Sequence, residues 1–293
     1  MKSLLRHLSN IKCWLSILCS LLVLSAVDAG SIPLIDAHSQ ADQHISLDEI
    51  LDLMDKAGVS HTILSLRGMR QPKELISFAE LHPGRITAAV RTKGGAYLKG
   101  PKQFARFLDN QIHMGQFGAM AEVLLWHAKK ENAPNVERGA GKNPDKPPQV
   151  VVPPDDPRVQ VALDKAIEKK WPFVAHIEFA ASGADRAPFM KKFEALLTKH
   201  PNHPFVLMHM GELNDEEVQR LIKDHENIYF NTAMSNPIAV SRSAQPLVNL
   251  FKGTILAPAW RKLFVSYPNR FILGFDNVFS GHWRKLYVSQ VDL

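Results

Sequence analysis

Cysteine is scarce in this sequence. Only Cys13 and Cys19 occur among its 293 residues, and both lie within the first 29. Residues 30–293 therefore contain no cysteine, so this part of the chain has neither a disulfide nor a thiolate that could act as nucleophile or metal ligand. A fold stabilised by disulfides and a cysteine-based active site are both excluded.

Clusters of basic residues are also missing. The formal net charge is +6, but lysine and arginine are spread along the chain, and three of them fall in the N-terminal segment. A nucleic-acid interface needs clustered Lys and Arg with aromatic residues between them, and the sequence offers no such stretch. The positive charge is therefore interpreted as solvated surface, and we expect no nucleic-acid partner.

The first 29 residues have the three parts of a secretory signal peptide. Lys2, Arg6 and Lys12 form a positive region, residues 14–27 form an apolar run, and small residues precede a cleavage site after Ala29. The apolar run is short for a transmembrane span, although an uncleaved anchor is the alternative. We expect cleavage and export, to the periplasm or the medium, with no membrane attachment afterwards.

Residues 30–293 alternate short β-branched runs with amphipathic helical stretches, and their length fits one domain. The predicted strands are Ile32–His38, Val59–Leu66, Arg85–Arg91, Phe117–Leu124, Pro172–Ile177, Pro204–Met210, Ile228–Asn231 and Arg270–Phe275. Apolar runs separated by helices are typical of parallel strands buried on both faces. Eight of them predict an α/β fold of the (β/α)₈ TIM-barrel type. A doubly wound sheet is the alternative, but no glycine-rich phosphate turn follows the first strand.

Helix start and stop signals support the same alternation. Capping boxes at Ser46 and Asn214 begin two helices, and Asp156 followed by Pro157 begins another. Gly58 is placed to end the first of them.

Two long connections and the C-terminus depart from a minimal barrel. Residues 127–155, rich in Pro and Gly, and residues 232–257 both leave the C-terminal ends of strands, where barrel enzymes build their sites. Both are candidate lids, with a disordered surface excursion as the equal alternative for the first. His282–Leu293 is short for a complete eighth helix, so we expect a truncated chain or a poorly covered seam between the last strand and the first.

Polar residues recur where the predicted strands end. A histidine in such a place is, taken singly, more often a core or surface residue than a ligand. Barrel geometry, however, aims the C-terminal ends of all strands at one axial pocket. Nitrogen and carboxylate ligands that meet there suit a divalent transition metal, with Zn²⁺ as the default. The residues concerned are His38, Glu122, His176, His209 and Asp276.

The order and context of these motifs resemble the amidohydrolase superfamily, in its amidohydrolase-related branch. There the first strand ends in Asp-x-His-x-His, histidines end strands five and six, and an aspartate ends strand eight. The resemblance implies that His38, His176 and His209 bind the metal. It also implies that Asp276 binds metal and handles the proton of the attacking water. Glu122 matches the position that bridges two metals in some branches.

The sequence departs from that motif at Gln40, which stands where the second histidine would be. A neutral amide is a poorer zinc ligand than imidazole, so the deeper metal position is expected to be weak. Three alternatives stay open. The site holds one metal on the three histidines and Asp276, it holds two with help from Glu122, or the barrel binds without catalysis.

Other polar residues near the strand ends are candidates for substrate binding. Arg67 and Arg91 end strands two and three, where a guanidinium could bind a substrate carboxylate, with surface ion pairs as the equal alternative. His127 follows the fourth strand and is placed to line the pocket. Glu178 lies two residues after His176 and could orient its imidazole.

The sequence therefore predicts metal-assisted hydrolysis of a small amide, ester or lactone, with Asp276 transferring the proton. Non-oxidative decarboxylation of an aromatic or unsaturated acid is the alternative within the same family. A non-catalytic periplasmic binding barrel is the alternative from another class. The partner is a small-molecule substrate, and the sequence leaves open whether the protein forms a homo-oligomer.

Overall fold

The computed structural model describes residues 32–128, 149–243 and 245–293. The predicted signal peptide and residues 129–148 of the predicted insertion lie outside these ranges, so both stay predictions. Leu34–Leu293 forms one unit. Among the described helices, none is both long enough and apolar enough to cross a membrane.

The strands of the described residues lie close to the predicted positions. In chain order, β1 to β12 span Leu34–Ala41, Val59–Leu66, Ile86–Val90, Ala119–Met120, Val123–His127, Val150–Val151, Phe173–Ile177, Phe205–Leu207, Ile228–Asn231, Phe251–Lys252, Ile255–Leu256 and Phe271–Ile272. The eight predicted strands correspond to β1, β2, β3, the pair β4 and β5, β7, β8, β9 and β12. The other three, β6, β10 and β11, belong to the two long connections.

Parallel pairing follows chain order around the molecule. Neighbours pair as β1-β2-β3-β4 and as β5-β7-β8-β9-β12. β4 and β5 are two stretches of one strand, separated only by Ala121 and Glu122. This short interruption joins the two sheets and places Glu122 at the point where the strand changes its main pairing partner.

Backbone hydrogen bonds close the seam between the last strand and the first. The amide of Ala37 donates to the carbonyl of Leu273 at 3.0 Å, and the amide of Asp276 donates to the carbonyl of His38 at 2.8 Å. A doubly wound sheet has free edges, so that alternative is wrong. The predicted (β/α)₈ barrel is confirmed.

Helices follow the strands, as the alternation predicted. Helices α1 to α11 of the described residues span Leu47–Ala57, Pro72–Leu81, Gly95–Leu98, Pro101–Ile112, Pro157–Lys169, Arg186–Lys199, Asp215–Asp224, Pro237–Val240, Pro258–Ser266, Ser280–Lys285 and Tyr287–Asp292. The side chains of Ser46, Asp156 and Asn214 accept hydrogen bonds from first-turn amides, as expected of N-caps. Gly58 ends α1 in the left-handed region, with φ of 70°.

Four strands end away from their predicted C-terminal residues: β1 and β5 run on to Ala41 and His127, whereas β8 and β12 stop at Leu207 and Ile272. For two of them, β1 and β8, the backbone shows the reason. β1 runs on to Ala41 through an irregular register between Asp36 and Ser39, so residue 40 is still part of the strand. β8 stops at Leu207, because the residues that follow turn sharply through left-handed backbone. Hydrophobic periodicity carries no signal for either feature, since both depend on backbone conformation.

The two long connections have structure of their own. Residues 232–257 contain α8 and the hairpin of β10 and β11, tied down where the amide of Leu250 donates to the carbonyl of Ser235 at 3.0 Å. The first insertion begins in β5 and returns as β6, which pairs with it antiparallel. The role of either connection as a lid stays a prediction.

The expected poor cover of the seam is wrong. α10 and α11 are two short helices in place of one long helix, and α11 packs against α1. Trp283 and Tyr287 are fully buried there, and the indole Nε1 of Trp283 donates to the carbonyl of Gln40 at 2.8 Å. Two large aromatic side chains thus cover a seam for which the sequence suggested too few residues.

Candidate metal centre

The structure brings together the side chains that the sequence singled out at the strand ends. All of these residues are buried, with whole-residue exposures of 6% or less, although they are polar or charged. Burying so many polar groups is unfavourable unless they bind one another or a ligand. The group consists of His38, Gln40, Glu122, His176, Glu178, His209 and Asp276.

His38 and Asp276 face each other across the seam. His38 Nε2 lies 3.4 Å from Asp276 Oδ1 and 3.7 Å from Glu122 Oε1, and it makes no hydrogen bond within the described residues. Ligand atoms bound to one tetrahedral ion at about 2.0–2.1 Å lie about 3.4 Å apart. The spacing around His38 Nε2 is thus that of atoms sharing an ion, longer than an ordinary hydrogen bond.

His209 is held in the form that a metal requires. Its Nδ1 lies 3.0 Å from the carbonyl oxygen of Ala233, which can only accept, so the proton sits on Nδ1. Burial and neighbouring His176 lower the pKa of His209, which keeps the ring neutral. Its Nε2 lone pair is left at 3.6 Å from Asp276 Oδ2. A carbonyl that fixes the tautomer of a metal-binding histidine in this way is a common second contact of such sites.

Left-handed backbone orients both His209 and Asp276. His209 has φ of 55°, Met210 56° and Gly211 66°, and Asp276 has φ of 49°. Residues with a Cβ rarely adopt this conformation, and each instance costs about 1–3 kcal/mol. Strain concentrated at His209 and Asp276 is typical of a functional site.

His176 is bound at both ring nitrogens by carboxylates. Nδ1 lies 2.6 Å from Glu122 Oε2, and Nε2 lies 3.0 Å from Glu178 Oε1. Burial opposes its protonation, but Glu122 and Glu178 outweigh burial and raise the pKa of His176 to about 9. The predicted contact between Glu178 and this imidazole is therefore present. A metal that binds His176 must first displace a proton.

Similar electrostatics act on His38 and Asp276. Burial opposes protonation of His38, but Asp276 and Glu122 raise its pKa to about 9. For Asp276, burial and Glu122 both favour the neutral acid, yet His38 and His209 outweigh them and hold the pKa of Asp276 below its usual range. The aspartate is thus ionised, as a metal ligand or proton acceptor must be.

Gln40 faces the cluster as a donor. Its amide Nε2 lies 3.2 Å from Glu122 Oε1 and 3.1 Å from Asp276 Oδ1, and carboxylate oxygens only accept. The amide therefore bridges two carboxylates with its two hydrogens, where a histidine would offer a ring nitrogen. Residue 40 points into the site, which agrees with its alignment to the second histidine of the family motif.

Lys93 is a member of the site that the sequence analysis missed. It follows β3, and its ammonium contacts Glu122 Oε1. Burial alone would raise the pKa of Glu122, but Lys93 and His176 hold it well below the usual range. Lys93 stands two residues after Arg91 at a strand end, so the rule that selected Arg91 could have selected it as well.

The two arginines have different surroundings. The guanidinium of Arg67 lies 4.3 Å from the centre of the Phe279 ring, and within the described residues it makes no hydrogen bond or ion pair. Burial lowers the pKa of Arg67, while Asp276 opposes that shift, which places the guanidinium within electrostatic reach of the cluster. Arg91 donates to the carbonyls of Gly68 and Lys93, so it ties two loops together. Their roles in substrate binding stay predictions.

His127 and Gln245 border the cluster on the side of Glu178. The His127 ring lies 5.4 Å from the His176 ring, centre to centre. Gln245 Nε2 donates to Glu178 Oε1 at 2.6 Å, so the connection of residues 232–257 reaches the site. Sequence reasoning missed Gln245, because no periodic pattern fixes where a long connection lies.

A network of polar contacts holds the first strand to the last behind the cluster. Asp36 accepts from Ser39 Oγ at 2.6 Å and from the amide of Phe275 at 3.1 Å. Burial raises the pKa of Asp36 to about 7. Asn277 Nδ2 donates to Ser39 Oγ at 3.2 Å. Asp36 is thus a structural residue of the motif, and it fixes the strand on which His38 stands.

The donor set fits a divalent transition ion. Three sets of side chains offer ligand atoms within 4.8 Å of one another. They are His38 with Glu122 and Asp276, Glu122 with His176 and His209, and His127 with His176 and Glu178. Imidazole nitrogens combined with carboxylates suit zinc and manganese better than calcium.

Comparison with solved structures identifies the fold as a TIM barrel. No protein-family model matches the chain, and no curated protein matches it. An uncharacterised TIM-barrel protein from Bordetella bronchiseptica is similar in structure, with a TM-score of 0.50 and 14% identity over 84% of this chain and 74% of that one. At this identity the likeness establishes the barrel fold and no activity.

Two other solved structures are similar at lower scores. A 2,6-dihydroxybenzoate decarboxylase from Rhizobium has a TM-score of 0.49 and 14% identity, covering 83% of this chain and 86% of its own. A 5-carboxyvanillate decarboxylase from Novosphingobium aromaticivorans with bound manganese has a TM-score of 0.46 and 12% identity, covering 89% and 90%. Scores this low say nothing about the activity of this chain.

Proposed function

We propose that this barrel is a metal-dependent hydrolase of the amidohydrolase type, acting on a small amide, ester or lactone. One observation supports the metal above all others. Two pairs of buried nitrogen and carboxylate atoms, His38 Nε2 with Asp276 Oδ1 and His209 Nε2 with Asp276 Oδ2, lie 3.4 and 3.6 Å apart. Such spacing is too long for good hydrogen bonds and matches two ligands of one ion.

His38, His209 and Asp276 would hold the ion, with His176 as the fourth ligand. When bound there, a divalent ion supplies Lewis acidity and makes water a nucleophile near neutral pH. Zinc is the proposed metal, since two of the three closest ligands are imidazoles.

Asp276 is the proposed proton carrier. Its carboxylate is buried, ionised and in reach of both His38 and His209. A carboxylate beside the attacking water can accept its proton and return it to the leaving group. Its backbone is fixed both by the left-handed conformation and by the hydrogen bond to His38, so the acceptor stays in place through the reaction.

Arg67 is the proposed anchor for a substrate carboxylate. Among the described residues its guanidinium makes no hydrogen bond or ion pair, lies over the Phe279 ring and is within electrostatic reach of Asp276. A planar guanidinium binds a carboxylate through two parallel hydrogen bonds. The preferred substrate is therefore an anionic one.

The guanidinium of Arg67 also makes decarboxylation the second candidate reaction. A carboxylate held by Arg67 would lie near Asp276, which could then pass a proton taken from water to the carbon that loses CO₂. Screening metal-loaded protein against lactones, amides and aromatic acids separates the two reactions. Hydrolysis releases acid, whereas decarboxylation releases CO₂. Protein that holds metal but converts none of the panel would contradict both reactions and support the non-catalytic barrel.

A matched test addresses Arg67 directly. Arg67→Met should raise KM for a carboxylated substrate by about tenfold or more, because two charge-assisted hydrogen bonds are lost, and leave KM for its uncharged analogue nearly unchanged. Arg91→Met serves as the comparison, since its guanidinium already binds two backbone carbonyls. Equal effects on both substrates would show that Arg67 only supports the fold.

Export is also proposed, from the pattern of residues 1–29. Protein recovered from its native host should begin at Gly30 or close to it. N-terminal sequencing checks this, and an intact Met1 in most of the protein would contradict it.

A further inference from the structure

A cavity lies in the wall of the barrel, where the pairing between β2 and β3 ends. These strands pair as far as Leu64 and Ala88, although β2 continues to Leu66 and β3 to Val90. Beside these strand ends, α2 and α4 enclose a cavity of about 190 Å³. Its lining contains none of the buried side chains that form the candidate metal centre. The cavity is therefore separate from the site already described.

Apolar side chains form most of the lining. Leu66 and Ala89 come from the two strands, Leu75 from α2 and Phe107 from α4, and Phe117 precedes β4. Leu66, Leu75 and Ala89 are buried, with exposures of 4% or less, so the walls are fixed parts of the core. An apolar cavity of about 150 Å³ is large enough to bind benzene. This cavity therefore has room for a single aromatic ring.

Three polar side chains of the lining, those of Gln111, Arg70 and Arg91, have partners within the protein. Gln111 Oε1 accepts from the amide of Arg91 at 3.0 Å, and its Nε2 donates to the carbonyl of Arg91 at 2.9 Å. All three guanidinium nitrogens of Arg70 donate, one to Glu74 and two to backbone carbonyls. The guanidinium of Arg91 donates to two further carbonyls. A polar ligand would have to compete with these bonds, whereas an apolar ligand leaves them intact.

The loop of residues 68–71 lines the cavity between β2 and α2. Arg91 holds it through the carbonyl of Gly68, at 2.8 Å, and Arg70 ties it to the backbone just after β1, at 2.6 Å. Gly68 has φ of 63°, and a Cβ there would collide with the side-chain amide of Gln43. These contacts hold the loop in one conformation. A cavity that exists before its ligand arrives binds that ligand at a lower entropic cost.

We infer that this cavity is a second binding site, for an uncharged molecule with a single aromatic ring. Its volume sets the size of the ligand, and its apolar lining sets the class. Phe107 and Phe117 lie in the lining, and contacts between aromatic rings stabilise a complex beyond the burial of apolar area. The candidate metal centre differs in class, because its proposed substrate is an anion held by Arg67. The inference does not depend on that proposal, since the cavity shares no residue with the proposed ligand set.

Binding of fluorobenzene tests the inference. The broadening of its fluorine NMR signal measures binding to chelator-treated protein, and the parent should bind it saturably. Ala89→Leu should weaken this binding about tenfold or more, because the larger side chain takes up space that the ring needs in a closely packed wall.

Ala88→Leu is the matched control. Ala88 precedes Ala89 on β3 and is equally buried, at 3% exposure, but it does not line the cavity. Its replacement should leave the affinity for fluorobenzene nearly unchanged. The pair separates filling of the cavity from a general effect of overpacking this strand.

Benzoate tests the class of the ligand. It is similar to fluorobenzene in size but carries a charge, which is costly to bury in an apolar cavity. Any benzoate that binds should do so outside the cavity, so its affinity should be the same in the parent and in Ala89→Leu. Loss of benzoate binding in Ala89→Leu to the same extent as fluorobenzene binding would overturn the assignment to uncharged ligands.

Crystals soaked in bromobenzene locate the ligand without any variant. The anomalous signal of bromine should give a peak in the cavity, near Leu75 of α2 and Phe107 of α4. A parent that does not bind fluorobenzene, equal weakening in Ala88→Leu and Ala89→Leu, or a bromine peak only outside the cavity would each overturn the inference. All three results would leave the proposed metal centre standing.

Discussion

His38 Nε2 and Asp276 Oδ1 lie 3.4 Å apart across the seam where the barrel closes, and the backbone of Asp276 donates to the carbonyl of His38 at 2.8 Å. The same pair of residues therefore joins the last strand to the first and begins the candidate metal centre. The contacts that close the barrel are therefore also contacts that assemble the site. A metal bound here should consequently stabilise the whole barrel.

Replacing a ligand should lower metal binding and stability together. His209→Ala should empty the site and abolish any activity, because this imidazole is the one already neutral and fixed in the metal-binding tautomer. At free metal a hundred times Kd, losing the ion should cost about 2.7 kcal/mol of unfolding free energy. Thermal unfolding with and without metal measures this loss.

His203→Ala is the control for that experiment. His203 lies just before β8, at the opposite end of the same strand from His209. Its removal should leave the metal-dependent gain in stability intact. Were His209→Ala to retain full metal occupancy, His209 would be a core residue and the ligand set would be wrong.

Substitutions at Gln40 should change metal affinity by different amounts. Gln40→His restores the family motif and should raise metal affinity, because imidazole is a better zinc donor than a neutral amide. Gln40→Ala removes two hydrogen bonds to buried carboxylates but no ligand, so it should weaken binding far less than His38→Ala does. Titration of the three variants and the parent with Zn²⁺ provides the comparison. If Gln40→Ala emptied the site as completely as His38→Ala, the amide oxygen would be a true ligand.

Metal binding should release protons. At pH 7 both His38 and His176 are charged imidazolium groups in the metal-free protein, with a proton on each ring nitrogen, since their pKa values are raised to about 9. A bound ion must displace these protons, so about two should be released per ion and affinity should rise with pH up to about 9. Calorimetry in buffers of different ionisation enthalpy counts them. Binding heats that do not depend on the buffer would contradict the protonated state.

The free energy of unfolding of the metal-free barrel should fall as pH rises, which is opposite to the trend in metal affinity. Because the pKa values of His38 and His176 are raised on folding, their stabilising contribution is full below about pH 6.5 and is lost as pH rises through about 9. Chemical unfolding of chelator-treated protein across this range measures the loss. His176→Gln should flatten the slope, and an unchanged slope would assign it to other groups.

Much of the fold could be predicted from the sequence, because burial of parallel strands and helix capping are local signals. Ser46, Asp156 and Asn214 mark helix starts by chemistry that the backbone uses directly. The prediction for the seam was wrong because its cover depends on Trp283 and Tyr287. Two aromatic side chains can fill space that a count of helical residues suggests is empty.

The site was predictable where barrel geometry alone determines position. His38, His176, His209 and Asp276 lie near the C-terminal ends of β1, β7, β8 and β12, and every barrel strand ends at the same pocket. Contacts between side chains from different strands carry no such signal. The ammonium of Lys93 on Glu122 depends on side-chain length and on the bend between β4 and β5, so it is visible only in three dimensions.

The central claim is that His38, His209 and Asp276 share one divalent ion. Crystals of the zinc-loaded protein, measured on both sides of the zinc absorption edge, test it most directly. We predict a single anomalous peak, about 2.0–2.2 Å from the Nε2 atoms of His38 and His209 and from a carboxylate oxygen of Asp276. An empty cluster in fully loaded crystals, or a peak bound only by residues outside it, would show that these three residues do not share an ion.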